Sequence, residues 1–127
     1  LLLNEIEAEL LFNSSLLNSN NQLNIKLIIK LSKKVFQKGL QKALIIHSPL
    51  ESLYISQDNN YHSKSIKIPK KNIKNAVGAG DAFCAGFIFG IHEEWDIETT
   101  LKKSHAAGSA MMKIDTSSGN LPNIKNL

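Results

Sequence analysis

The sequence is organised around one glycine-rich stretch, Val77-Gly78-Ala79-Gly80-Asp81-Ala82-Phe83. An apolar segment follows without a break and predicts a helix. Glycine adopts backbone angles closed to other residues and lets a ligand approach the main chain closely. The first N–H groups of a helix have no acceptor inside it, and they attract anions, phosphate above all. We therefore expect a phosphate-binding turn built from Gly78, Ala79 and Gly80.

The aspartate that ends this turn, Asp81, allows two interpretations. Its carboxylate caps the helix, or it takes a proton from a substrate hydroxyl while neighbouring N–H groups hold the developing negative charge. The tetrapeptide Gly-Ala-Gly-Asp by itself favours the cap. The residues around it move the weight towards catalysis.

The longer segment from Val77 to Phe87 resembles the C-terminal signature of the ribokinase-like (PfkB) carbohydrate kinase family. Eight positions match the family pattern at fixed spacing: Gly78, Ala79, Gly80, Asp81, Phe83, Ala85, Gly86 and Phe87. The resemblance implies ATP-dependent phosphoryl transfer to a hydroxyl of a sugar or nucleoside, with Asp81 as general base and the Gly78–Asp81 backbone as anion hole. Asn75 and Val77 stand where the family often has Asp and Thr, so it stays open whether a monovalent cation binds beside the turn.

A second family motif, Asn-x-x-Glu, matches Asn4 and Glu7 near the start of the chain. From the residues alone, Asn4 is an N-cap and Glu7 completes a capping box for a helix that reaches Phe12. The resemblance implies that both residues also help to organise Mg²⁺ and phosphate, with the metal held through water. The two roles can coexist.

The segments between these motifs alternate between strand and helix patterns. In chain order they predict a strand end at 1–3, a helix over 23–36 that ends at Gly39, a strand over 43–47, a hairpin with arms at 53–56 and 61–68, a helix over 82–91 and a helix from Asp96 or Thr99 to Met111. The helix over 82–91 is apolar on every side and is expected to be buried, with Gly86 and Gly90 packed closely against a neighbour. His62 is expected to be a surface residue of the hairpin.

The turn after the strand over 43–47 departs from the family pattern. The family has a Gly-x-x-Gly turn against the nucleotide, whereas residues 47–52 contain no glycine and Pro49 has no N–H to donate. His47 and Ser48 are candidate nucleotide contacts, and the alternative is that they stabilise the turn.

Three weaker matches to the nucleotide site lie near the end of the chain. His105 and Gly108 fall in an alanine-rich helix like the one that, in the family, packs beside the adenine. An ordinary helical position is the alternative for His105. Residues 115–122 resemble the loop that ends the family's nucleotide site.

These patterns together predict a single α/β domain over residues 1–127, the C-terminal part of a ribokinase-like three-layer α/β/α sandwich on its nucleotide-binding side. The sequence does not begin with Met and opens in an apolar run. We therefore expect a fragment that lacks the N-terminal substrate and lid half. Such a fragment need not be active alone, and the full-length protein could be a homodimer.

Composition limits the partners that the chain can have. The net charge of +4 comes from lysine without any arginine, and aromatic residues make up only 6% of the chain, which argues against nucleic-acid binding. No apolar run is long enough to span a membrane, and the single cysteine, Cys84, excludes an intramolecular disulfide. We expect a cytoplasmic enzyme.

Two other functions stay open at this point. One is a pseudo-kinase fragment that binds a nucleotide without transferring phosphate, which the lost Gly-x-x-Gly turn motivates. The other is an unrelated α/β protein that binds polyanions through its lysines, with Gly-Ala-Gly-Asp as a simple helix cap.

Overall fold

The computed structural model describes residues 1–114 and 122–127, which form two compact units, Leu1–Ser63 and Lys64–Leu127. The helices and strands, in chain order, are β1 (Leu2–Asn4), α1 (Glu5–Phe12), α2 (Ile25–Gln37), β2 (Leu44–His47), β3 (Glu51–Ile55), β4 (Asn60–Lys64), α3 (Ala79–His92) and α4 (Ile97–Met112). The α/β class is confirmed. The predicted loop at 115–122 falls, apart from its last residue, outside the described residues.

The first unit contains a four-stranded sheet in the order β1-β2-β3-β4. β1 pairs in parallel with β2, whereas β2 pairs antiparallel with β3. Because β1 and β2 run in the same direction, their carboxyl ends lie side by side, and Asn4 is the partner of His47. The chain leaves both strands at one edge of the sheet.

The core of the first unit lies between one face of this sheet and the helices α1 and α2. The strand register places four buried side chains on that face: Leu44, Ile46, Leu53 and Ile55. Ala8 of α1 and Ile28 of α2 pack into the same cluster, and both are fully buried. α2 ends one residue before Lys38, and Gly39 follows with a φ of 113°, as expected for a glycine stop.

In the second unit, α3 and α4 approach each other along small residues. A Cβ atom at Gly86 would lie 3.1 Å from the Cα atom of Ser104. A Cβ atom at Gly90 would lie 2.6 Å from Cγ2 and 2.8 Å from Oγ1 of Thr100. The predicted close packing at both glycines is confirmed.

The expectation that this helix is buried on every side is wrong. Phe83 and Phe87 are buried, but Ile88 is 66% exposed and Ile91 is 48% exposed. Within the described part of its unit, α3 packs extensively against α4 alone, so one side is covered and the opposite side faces outward.

In the described ranges, none of the helices combines the length and the apolar character that a membrane crossing needs.

Replacing Gly90 with alanine should destabilise the protein through its contact with Thr100. Alanine favours a helix over glycine by about 1 kcal/mol, but overpacking costs about 1–3 kcal/mol, so we expect the free energy of unfolding to fall by about 1 kcal/mol. Urea unfolding measures this change. In a Thr100→Ala background the same substitution should be neutral or stabilising, and an equal cost in both backgrounds would contradict the assignment.

Candidate functional site

Gly78 shapes the turn that begins α3. Its φ of 86° lies in the left-handed region, where a side chain would be strained. Before it, the Asn75 side-chain oxygen accepts the Val77 N–H at 2.9 Å. The N–H groups of Lys74 and Asn75 donate to the Met112 carbonyl at 2.8 and 3.3 Å. The approach to the turn is therefore attached to the last turn of α4, whose carbonyls lack donors within the helix.

The first turn of α3 presents N–H groups and a carboxylate to solvent. Ala79 donates its N–H to the carbonyl three residues earlier at 3.3 Å, and Ala82 donates to the Gly78 carbonyl at 2.9 Å. Between them, Gly80 and Asp81 occupy helix positions whose N–H groups have no acceptor within the helix. Both residues are exposed. Two amide donors and one carboxylate thus lie at the positive end of a helix.

α4 supports this turn at close range. A Cβ atom at Gly108 would lie 3.1 Å from the Ala79 carbonyl oxygen, so the missing side chain lets α4 approach the first turn of α3. His105 is buried, and its ring meets Phe83 edge to face with 4.9 Å between ring centroids. The structure places Gly108 and His105 in the contact between the helices. Their contact with a nucleotide stays a prediction.

In the first unit, Asn4 and Glu7 form the predicted capping box. The Asn4 Oδ1 accepts the Glu7 N–H at 2.8 Å, and the Glu7 Oε2 accepts the Asn4 N–H at 2.9 Å. Glu7 is exposed, and its oxygens can accept further hydrogen bonds. Among residues 1–114 and 122–127, no three His, Cys, Asp or Glu side chains are grouped to hold a metal ion. The capping role is confirmed, and the metal role stays a prediction.

His47 lies beside this cap, at the end of the neighbouring strand, opposite Asn4. Burial lowers the pKa of the His47 imidazole below its ordinary value of 6.5, and the negative charge of Glu7 opposes that shift more weakly. The ring is therefore neutral at physiological pH. The structure brings together Asn4, Glu7 and His47 at one edge of the sheet.

Ser48 stabilises the turn that follows β2. Its N–H donates to the Glu51 carbonyl at 2.8 Å. Its Oγ accepts the N–H groups of Leu50 and Glu51 at 3.3 and 3.2 Å. This arrangement is the turn-stabilising role that the sequence left as an alternative. A contact between Ser48 and phosphate stays a prediction.

Glu51 was missed by the sequence analysis. Its side chain is buried, with Oε2 accepting the Leu23 N–H at 3.1 Å and Oε1 lying 2.8 Å from Nε2 of His62. His62 is therefore a partner of a buried carboxylate as well as a partly exposed strand residue. The available signal was an acidic residue at the start of an apolar strand with a histidine on the next strand, because buried charges need partners.

Residues 1–123 match the model of the pfkB family of carbohydrate kinases. The chain belongs to this family. The signature residues Gly78, Ala79, Gly80 and Asp81 form the N-terminal turn of α3. Family membership confirms the resemblance that the sequence analysis identified.

Two curated relatives of this pfkB-family chain are sugar kinases. A 5-dehydro-2-deoxygluconokinase from Clostridium botulinum is 37% identical over 67 residues, which is 50% of this chain and 20% of the relative. A 1-phosphofructokinase from Borreliella burgdorferi is 29% identical over 85 residues, which is 67% of this chain and 27% of the relative. The chain thus spans roughly a quarter of the length of these relatives.

Solved structures show that the fold is that of the ribokinase-like kinases. A candidate ribokinase II from E. coli, in complex with ATP and Mg²⁺, matches 98% of this chain and 36% of its own with a TM-score of 0.76 and 17% identity. A nucleoside kinase from Burkholderia thailandensis, in complex with inosine, matches the same shares with a TM-score of 0.68 and 18% identity. The predicted fold class is confirmed.

The neutral state of His47 should make this pfkB-family chain less stable in acid. The unfolded imidazole binds a proton below about pH 6.5, whereas the folded one resists protonation, so stability falls as pH drops below that value and levels off below the folded pKa. His47→Gln should remove this component from urea unfolding measured between about pH 7 and 5. A His47 ring that titrates at or above 6.5 by NMR would overturn the expectation.

Proposed function

We propose that the chain forms the nucleotide-binding side of an ATP- and Mg²⁺-dependent kinase that phosphorylates a hydroxyl of a sugar or nucleoside. The observation that carries the proposal is the first turn of α3, in a chain of the pfkB family of carbohydrate kinases. There the left-handed Gly78 precedes the exposed residues Gly80 and Asp81, which offer two N–H groups and a carboxylate. The named relatives support a sugar as acceptor, and the inosine complex keeps a nucleoside open. Because the proposed reaction consumes ATP, we propose that the protein lies in the cytoplasm.

In the proposed reaction, Asp81 accepts the proton of the acceptor hydroxyl while that oxygen attacks the γ-phosphorus. Its exposed carboxylate belongs to the same helical turn as the N–H groups of Gly80 and Asp81, which stabilise negative charge on the transferred group. Ala79 already donates within the turn at 3.3 Å, so its main part is to shape the anion hole with Gly78. Phosphoryl transfer depends on such alignment and charge neutralisation.

The donor set of Asn4 and Glu7 fits Mg²⁺ held through water. Mg²⁺ prefers oxygen ligands and keeps several waters, so one carboxylate and one amide oxygen suffice together with phosphate. The metal would neutralise phosphate charge. The side-chain oxygen of each residue accepts the backbone N–H of the other, which keeps both side chains in place for that role.

His47 and Ser48, at the edge of the sheet where Asn4 lies, are proposed nucleotide contacts of the first unit. Gly108 and His105 are proposed nucleotide contacts of the second unit. The residues that grip the acceptor are proposed to lie in sequence outside these 127 residues, because the solved kinases are matched over little more than a third of their length.

Asp81→Asn tests the proposed base on the protein at its full natural length. The amide cannot accept the hydroxyl proton, so kcat should fall by about 10²–10⁴ while ATP affinity changes little. ADP release with ATP and Mg²⁺, across a panel of sugars and nucleosides, measures the loss and names the acceptor. Asp58→Asn is the matched control, since Asp58 is an exposed carboxylate in the turn between β3 and β4. An Asp81→Asn enzyme with nearly full turnover would exclude Asp81 as the base.

A second candidate function is nucleotide binding without transfer. The turn at 48–51 favours it, because the family's glycines are absent there and Pro49 has no N–H to offer a phosphate. ATP binding by the wild type without ADP release on any acceptor would support this function.

A further inference from the structure

Hydrogen bonds between Ser48 and Glu51 hold the turn between β2 and β3. The Glu51 carbonyl accepts both the N–H of Ser48, at 2.8 Å, and its hydroxyl, at 3.3 Å. The same hydroxyl accepts the Glu51 N–H at 3.2 Å. Pro49 and Leu50 form the exposed tip. The shape of this turn, which contains no glycine, therefore depends on Ser48 and on the contacts that hold Glu51 in place.

The side chain of Glu51 is held by two segments that are distant in sequence. Its Oε2 accepts the N–H of Leu23, a buried residue just before α2, and its Oε1 pairs with His62 of β4. The carboxylate therefore connects the β2–β3 turn, the residues before α2 and the β3–β4 hairpin. Removing it would leave a buried N–H without its acceptor, which is among the more costly losses in a folded protein.

We propose that Glu51 is a positioning residue for nucleotide binding. It holds the 48–51 turn, and with it the carboxyl end of β2 at His47, in the orientation that a nucleotide lying along this edge would meet. This inference rests on the proposed function, which places the nucleotide there. It predicts that the position of the turn, rather than the chemistry of transfer, depends on Glu51.

The test compares Glu51→Ala and Glu51→Gln in the protein at its full natural length. Glu51→Ala should raise the KM for ATP about tenfold and leave kcat within about threefold. The loss of one hydrogen bond of ordinary strength corresponds to about a tenfold change in affinity. Glu51→Gln should restore the wild-type KM, because its amide oxygen accepts the Leu23 N–H and its amide can bond to His62. Hydrogen exchange at the Leu23 amide should accelerate in Glu51→Ala alone.

Glu9→Ala is the matched control. Glu9 also accepts a buried backbone N–H, that of Leu16 at 3.3 Å, but this hydrogen bond does not involve the 48–51 turn or Leu23, so its loss should leave the KM for ATP unchanged. If Glu51→Ala does not fold, His62→Phe removes one partner of the carboxylate, and the same rise in KM with kcat preserved is expected.

The outcomes separate the two proposals. A wild type that does not bind ATP would overturn both the proposed function and this role of Glu51. A wild type that binds ATP, with Glu51→Ala binding it equally well, would overturn the positioning role alone, whatever the amide exchange shows. An equal rise in KM in Glu9→Ala would also overturn it, because the effect would then be general loss of stability.

Discussion

The left-handed backbone at Gly78 is the constraint on which the proposed phosphate turn depends. Gly78 is the N-cap of α3, and residues with a side chain adopt its backbone angle only under strain. α4 supports the turn in two ways, since the Met112 carbonyl accepts N–H groups of the approaching chain and the missing side chain of Gly108 leaves room for the Ala79 carbonyl. The turn is therefore a product of both helices.

The first unit uses a different device to place polar groups at one edge. Parallel pairing of β1 and β2 puts Asn4 opposite His47, and the helix that starts directly after β1 brings in Glu7. The capping box satisfies two backbone N–H groups and also immobilises the Asn4 and Glu7 side chains. Residues that stabilise a helix end are in this way already ordered for a second role.

The two glycine positions that the family uses after β2 are replaced here by polar contacts. Ser48 and Glu51 stabilise the turn with their own hydrogen bonds. The Glu51 carboxylate in turn accepts the Leu23 N–H and pairs with His62. Glycine gives such a turn its shape through backbone freedom, whereas this chain gives it shape through buried side-chain bonds. The consequence is that a proposed nucleotide contact depends on residues more than ten positions away in either direction.

Local sequence determined the helix caps at Asn4 and Gly39, the two close-packing glycines of α3, and the signature from Gly78 to Phe87 that led to the family. The caps depend on neighbours within a few residues, and the signature is read from residue type and spacing. The close packing at Gly86 and Gly90 involves α4, but glycine in an apolar helix already indicates it, because glycine lowers helix propensity. Only the tertiary structure decided that Ile88 faces outward and that Glu51 pairs with His62 and Leu23. Both depend on which distant segments meet, and a hydrophobic pattern records how apolar a face is but not what covers it.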